Sequence, residues 1–536
     1  MSNDRRIEGS DPESEKIDPE SDRSDDAAAA IAAQSETVRN VSGGVDPEGN
    51  PVDAERYKKL NRMGTERVSK LLMEFAIPSI IAMVTNGLYN IVDAIFLGHG
   101  VGEVGLATAR IALPMMIFIM AMAMLIGNGG NALVALRLGE GKKREAERIL
   151  GICLTLFIVA GIVGTAFIFL FTDGVLRLSG ASPSEAEIWA SCHTFLRIIS
   201  FGVIFQFLAM GFNNFIRTAG NPSRALCTMV AGISTSALLN WIFVIHLGWG
   251  VAGSAWATVI GQGVGATLVL HYFIASKKAP FHLKLSNMPI KLKIALGVLA
   301  LGSASFMLQI GQAVVNMILN YLINKYGATS LIGSEGTFAA LGVVNNVAMF
   351  TFFPIMGIAI AAQPLIGFNY GARNFERVKK TFWMAFLWIM AFGLAFWILV
   401  RIFPGQIAML FGISGDLLHF TASAIQIQLF MIPVMGLQIL ASSHFQSTGQ
   451  PVKSLILSMS RQIIIMIPLF FILPIVMPLI SAQFVPVDGL IWAFPICDAT
   501  SALTSGLMMR WEFKRIDKIM AKHKQEEAGA MSPAVC

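Results

Sequence analysis

Phe215-Ile216-Arg217-Thr218-Ala219-Gly220-Asn221-Pro222 has an echo in Phe445-Gln446-Ser447-Thr448-Gly449-Gln450-Pro451, with an offset of 229 from Gly220 to Gly449. Both stretches close an apolar run, where Gly or Gly-x-Pro ends a helix and turns the chain. A second pair recurs at nearly the same period. Leu138-Gly139-Glu140-Gly141-Lys142-Lys143 is matched by Phe368-Asn369-Tyr370-Gly371-Ala372-Arg373, with an offset of 230 from Gly141 to Gly371. Single turn motifs match by chance, but two pairs at one period mark an internal repeat.

Working outward from these turns, apolar runs fall at 71–97, 106–138, 149–171, 188–212, 225–247, 251–275, 294–324, 337–368, 381–403, 417–440, 454–480 and 489–511. Each suits a helix crossing the hydrocarbon, which takes about 20 residues. The first turn pair quoted follows spans four and ten, the second follows spans two and eight. Six spans per repeat leave both halves in the same orientation. The expected fold is an all-α polytopic membrane protein of twelve transmembrane helices. Its two six-helix lobes are related by a pseudo-two-fold axis along the membrane normal. The N-lobe covers 70–275, a linker 276–293 and the C-lobe 294–511; tails cover 1–69 and 512–536. The long second and eighth runs imply tilt or extension beyond the bilayer.

Composition agrees. Of the whole chain, 54% is hydrophobic and 14% charged. Soluble domains carry about 25% charged residues. Mean hydropathy is +0.63. The net charge of +6 divides: residues 1–56 hold 15 Asp/Glu against six Lys/Arg, whereas the body is +15. Without aromatics or apolar runs, the acidic tail reads as a solvated extension. It lacks the basic start and apolar stretch of a signal peptide. The body's cations gather after even-numbered spans, as in Lys142-Lys143-Arg144, Lys277-Lys278 and Lys379-Lys380, with Arg461 read into the loop after span ten. Lys and Arg mark cytoplasmic loops. The expectation is a multi-pass cell-membrane (plasma or inner membrane) protein with both termini cytoplasmic. The basicity therefore encodes orientation and gives no reason to expect nucleic acid as a partner.

Inside the spans, acids are scarce. Asp93 lies in the outer half of span one and Asp498 near the middle of span twelve. A carboxylate in the bilayer costs roughly 2.5–3.5 kcal/mol or more, so it normally faces a cavity and carries function. Both are candidates for binding H⁺ or Na⁺, against the plainer reading of a hydrogen-bonded packing residue. Na⁺ at Asp93 is the one metal ion expected, and no cofactor is implied. Asn86 and Asn90 share a helical face with Asp93. In span seven Gln309, Gln312 and Asn316 recur on one face, and span ten carries Gln426, Gln428 and Gln438. These stripes suggest a water-accessible cavity, although any one residue is more often interhelical glue. Pro468, Pro474 and Pro478 mark a bend in span eleven. Cys153, Cys192, Cys227 and Cys497 lie in apolar runs and read as small core residues.

Other motifs fail their context. Gly100-Val101-Gly102-Glu103-Val104-Gly105 lies between membrane helices with no strand before it, so no dinucleotide site follows. The histidines are scattered, with no catalytic or metal-type pairing.

The run Asn90-Ile91-Val92-Asp93-Ala94-Ile95-Phe96-Leu97-Gly98 resembles the first-helix signature of the multidrug and toxic compound extrusion (MATE) family. Gln363-Pro364-Leu365-Ile366-Gly367-Phe368-Asn369-Tyr370-Gly371-Ala372 resembles the exit of its eighth helix, and Gly220-Asn221-Pro222 and Gly250-Val251-Ala252-Gly253 also match. The resemblance covers about 70–510 and is closest to the branch of MepA-type exporters. It implies a secondary active antiporter, not an enzyme. Such a protein exchanges H⁺ or Na⁺ for amphipathic, often cationic drugs or toxins by alternating access, acting as a monomer. It also implies a cation-coupling role for Asp93, assisted by Asn240 and Thr258. The sequence departs where many of that branch carry Asp four residues after the span-five Asn, for here stands Val244. Acids that hold Na⁺ in spans seven and ten of other members are missing too, and Asp498 is the expected partial substitute. Two rivals stay open: a lipid-linked saccharide flippase on a related bundle, and an intramembrane enzyme. The flippase would need cations inside the N-lobe, and the enzyme paired catalytic groups at one depth.

Overall fold

The computed structural model describes residues 61–179, 183–276, 279–327, 332–481 and 484–530. Residues 1–60, where most of the expected acidic tail falls, and the side chain of Asn90 lie outside the described residues. All described helices belong to one compact unit, Lys59–Cys536.

The N-lobe holds α1 (Val68–Gly100), α2 (Glu103–Gly139) and α3 (Lys143–Leu178). It continues with α4 (Ala186–Thr218), α5 (Pro222–Asn240), which runs on as a π turn over Trp241–His246, and α6 (Gly250–Ile274). The C-lobe repeats the order with α7 (Leu292–Gly327), α8 (Gly333–Gly371) and α9 (Phe375–Ile402). Span ten is a bent pair, α10a (Asp416–Gln428) and α10b (Ile432–Ser447). Span eleven joins α11a (Pro451–Met459), a π turn over Ser460–Met466 and α11b (Ile467–Ile480). α12 (Pro486–Ala530) passes the expected boundary at 512 as one continuous helix. Among the described residues eleven helices are long and apolar enough to span a membrane, and the bent pair makes twelve. At 37 and 39 residues, α2 and α8 are about 55–60 Å long, well beyond the ~30 Å hydrocarbon.

The expected bend in span eleven takes another form. Pro468 has no N–H to donate and crowds the preceding turn, and directly before it the helix widens into the π turn. The sharp break, 46°, falls in span ten, at 429–431. Of the cysteines, Cys153, Cys192 and Cys497 are buried as expected, while Cys227 on α5 is exposed.

The repeat is visible in the backbone, with one register corrected. Gly220 and Gly449, at φ 77° and 76°, close α4 and α10b alike. After α2 and α8 the equivalent left-handed residues are Gly141 and Arg373, not Gly141 and Gly371. The closing bonds agree, Lys142 N to Arg137 O at 2.9 Å and Asn374 N to Asn369 O at 2.8 Å. The offset there is 232, which pairs Gly139 with Gly371. The sequence match slips by two positions because it weights glycine identity over turn geometry.

Glycines let the lobes approach backbone to backbone. A Cβ on Gly139 would collide with the carbonyl oxygen of Phe368, and one on Gly371 with that of Leu136. Gly129 meets Val298 and Gly302 meets Leu125 in the same way, joining α2 to α7. These contacts lie in the half of the protein that carries the basic loops. There one hydrophobic core runs through both lobes, from Phe157 and Phe212 to Ile366 and Phe445, whereas a separate core around Val344 and Phe470 serves the other half of the C-lobe. In that other half an apolar cleft of about 560 Å³ opens between α1 and α8, lined by residues such as Leu88, Ile91, Met349 and Phe353.

Candidate functional site

α1 carries Asp93 to the ends of α5 and α6. Asn240 Nδ2 donates to Asp93 Oδ1 at 2.9 Å, and Ser254 Oγ donates to the same oxygen at 3.3 Å. Asn240 is wholly buried and is the last α-helical residue before the π turn of α5. Such turns re-aim side chains and recur at functional sites. Asn240 Oδ1 is buried without a partner, an acceptor left open beside a carboxylate. Thr258 does not reach Asp93. It meets Tyr89 OH at 3.2 Å, and Tyr89 OH also meets Ser236 Oγ at 2.7 Å. Tyr89 stands one turn before Asp93 on α1. The site is thus Asp93, Asn240 and Ser254, with Tyr89 and Thr258 leading away from it. Val244 packs against Gly100, seven residues and about 10 Å along α1 from Asp93.

The other sequence candidates separate. Asp498 pairs with Arg461 Nε at 2.8 Å, both side chains nearly buried at 5% and 12% exposure. Arg461 is therefore no loop residue: it stands in the π turn of α11, inside span eleven. Gln312 turns to α11 and accepts from Gln462 Nε2 at 2.9 Å, with Asn316 at 3.4 Å from Gln312. Gln426 caps α9 by donating to Arg401 O at 3.3 Å. None of Gln309, Gln312, Asn316 and Gln426 lines the central cavity: the face of α7 that meets the N-lobe carries Gly302 and Ser305 instead, and Gln426 on α10a bonds to Arg401 O. Asn86 does line it.

That cavity, about 250 Å³, lies between the lobes and draws on α1, α2, α4, α5 and α6 from one and α7, α8, α10b and α11 from the other. Thr258, Tyr89 and Ser236 stand on its wall, so the Asp93 cluster adjoins it through Tyr89. A chain of hydrogen bonds crosses between the lobes beside it. Arg217 Nη1 donates to Asn214 Oδ1 at 2.6 Å, and Asn214 Nδ2 to Asn128 Oδ1 at 2.7 Å. Asn128 Nδ2 continues to Ser305 Oγ at 2.9 Å, which also accepts from Gln446 Nε2 at 3.1 Å. Gln363 Nε2 closes the chain on Gln446 Oε1 at 2.9 Å.

None of these residues stands out as a cavity residue in the sequence, although the repeat contains them. Carrying the offset of 229 inward from Gly220 pairs Asn213, Asn214 and Arg217 with Ser442, Ser443 and Gln446, and all six line the cavity. Among the described residues no group of three His, Cys, Asp or Glu could hold a metal ion.

Two six-helix lobes, crossing a membrane and meeting around a central cavity, define a two-lobe membrane transporter. The MatE family profile matches residues 78–242 and 304–472, one stretch in each lobe, and the chain belongs to that family. It is similar to the probable multidrug resistance protein YoeA of Bacillus subtilis strain 168, 24% identical over 74% of this chain and 85% of the relative. The multidrug export protein MepA of Staphylococcus aureus strain MSSA476 is 23% identical over 82% of this chain and 93% of its own. Among solved structures, the fold is similar to an outward-facing multidrug resistance MATE family transporter of the MOP superfamily. The TM-score is 0.77 at 23% identity, covering 86% of this chain and 98% of that one.

Proposed function

We propose that this chain is a secondary active exporter that moves amphipathic small molecules through the central cavity in exchange for H⁺ or Na⁺ bound at Asp93. The carrying observation is the Asp93–Asn240–Ser254 cluster. It holds a carboxylate away from any Lys or Arg among the described residues, beside the unpartnered Asn240 Oδ1. An oxygen-lined carboxylate of this kind accepts a proton or a small hard cation. Neutralising Asp93 weakens the bond from Asn240 Nδ2, since a charged acceptor holds a donor more strongly than a neutral one. That loosens α1 against α5. Tyr89 then transmits the change to the cavity wall through Ser236 and Thr258.

In the state described α2 and α8 meet backbone to backbone on the basic-loop side, and the apolar α1–α8 cleft lies on the other side. With the basic loops in the cytoplasm, that arrangement supports an outward-facing state of a cell-membrane protein. Asp498 belongs to the scaffold in this reading, because Arg461 already neutralises it. The names of YoeA and MepA support multidrug export.

The test is dye efflux from vesicles under separately imposed pH and Na⁺ gradients. Efflux driven by one gradient in wild type and lost in Asp93→Asn is expected. Undiminished gradient-driven exchange by that variant would sink the coupling mechanism.

A further inference from the structure

The resemblance implies cargo that is often cationic, but the cavity has the opposite electrostatics. Among the described residues Arg217, 3% exposed, is the one charged side chain that lines it, and no Asp or Glu does. No acid among the described residues compensates the guanidinium, which of its five N–H groups directs Nη1 to a neutral amide oxygen, Asn214 Oδ1. At the equivalent position of the C-lobe stands the neutral Gln446, so the charge belongs to one lobe only. Around it Met124, Met210 and Met229 offer a deformable apolar wall, suited to flat ring systems of varied shape. A buried, uncompensated guanidinium repels cations and binds planar oxyanions with paired N–H bonds.

We propose that Arg217 is an anion subsite of the central cavity, and that the cargo is an amphiphile carrying a carboxylate, sulfonate or phosphate oxyanion beside an apolar ring body. The proposal rests on the exporter reading and specifies its substrate class. The oxyanion takes the remaining guanidinium N–H groups while the body lies against the methionines. Because Arg217 also begins the hydrogen-bond chain to Ser305 and Gln446, an anion there competes with Asn214 for the guanidinium. Substrate binding thereby reaches the bonds that tie the lobes together.

The experiment measures binding by fluorescence anisotropy, with the full chain in phosphatidylcholine nanodiscs. The probes are rhodamine B, which has a free carboxylate, and its ethyl ester, which has the same ring body and a net positive charge. Wild type should bind rhodamine B at least about tenfold more tightly than the ester, the scale of one charge-assisted hydrogen bond. Arg217→Gln copies the residue used by the C-lobe and should erase that preference, weakening rhodamine B while the cationic ester, no longer repelled, binds at least as tightly as before. Asn214→Asp, which supplies an internal carboxylate to Arg217, should erase it with the arginine intact, so the conclusion does not depend on one variant folding. Equal affinity of wild type for both dyes, or an equal loss of both in Arg217→Gln, would overturn the subsite. Displacement of rhodamine B when phosphatidylglycerol is added to the nanodisc would assign the guanidinium to a lipid headgroup and overturn the cargo. If wild type binds neither dye, the drug-carrying cavity itself fails; binding of the ester alone leaves the exporter standing and removes only the anion subsite.

Discussion

Gly139 and Gly371 are one contact seen twice: each lies where a Cβ would strike a carbonyl oxygen of the other's helix, Phe368 O and Leu136 O respectively. The two glycines share an offset of 232 with the two carbonyls, so the pseudo-two-fold axis passes between them. A contact on the axis has the same chemistry from both sides, as in an isologous interface. Here it seals the half of the molecule that carries the basic loops.

Adding side-chain volume at this crossing should therefore open the seal from either side. Gly371→Val and Gly139→Val should each destabilise the described state by about 1–3 kcal/mol, the usual cost of overpacking. A thiol introduced at Ser443 on the cavity wall should then react faster with a reagent applied from the basic-loop side. An unchanged labelling rate in both variants would show that the crossing is not the gate.

Asp93→Asn should keep substrate binding in the absence of a gradient and lose the response to one. The amide mimics the neutralised acid, so the variant is held in one half of the cycle. Asn240→Leu should weaken coupling without abolishing it, because Ser254 still bonds Asp93. Efflux rate plotted against the imposed pH or Na⁺ gradient separates these cases.

Arg461 and Asp498 should behave as structure. Removing one partner of a buried ion pair costs about 3–5 kcal/mol because a bare charge remains, whereas replacing both by apolar residues is often neutral. Arg461→Met and Asp498→Leu should each lower the melting temperature, and the double variant should recover most of the loss with gradient-driven efflux intact. A double variant that is stable yet uncoupled would make the pair part of the ion pathway.

The segment 61–66 ties the start of α1 to the C-lobe. Arg377 Nη2 donates to Glu66 O at 2.6 Å and to Met63 O at 3.1 Å, and Asn369 Nδ2 donates to Met63 O at 3.0 Å. Arg377→Ala should speed hydrogen exchange at 61–66 with little change in the lobe cores. The neighbouring Arg62 holds the Glu66 carboxyl below the usual carboxylate range through a 2.8 Å bond. A carboxyl lowered in the folded state contributes stability above its unfolded value and loses it as pH falls through its folded one. Protection at 61–66, taken relative to the intrinsic exchange rate at each pH, should therefore be high at neutral pH and fall only in acid, and the fall should be smaller in Arg62→Met, where the largest cause of the shift is gone.

Much of this protein is legible without coordinates. Twelve apolar runs, the even-loop cations and the turn motifs around Gly220 and Gly449 need only local rules: apolar length sets a span and Gly sets its end. Asp93 is legible as well, because a lone acid in an apolar run violates the chemistry of its surroundings, whereas Asn240 stands out only through the family resemblance. The limits lie where local rules compete. Matching Gly141 with Gly371 misreads a turn whose left-handed position is filled by Arg373 in the second lobe. Arg461 is grouped with the loop cation Lys453, although it already lies within the apolar run 454–480.

The number of spans, the two-lobe repeat and the acid that stands alone in span one are local properties of the chain, since each follows from hydropathy and chain turns over short stretches. Partners, by contrast, depend on how the helices pack. That packing gave Asp498 to Arg461, set Gln312 against Gln462 instead of the cavity, and left Arg217 without an acid among the described residues. A buried polar group takes its meaning from what lies within about 3 Å of it. In a bundle, that neighbour often comes from a helix far away in the chain.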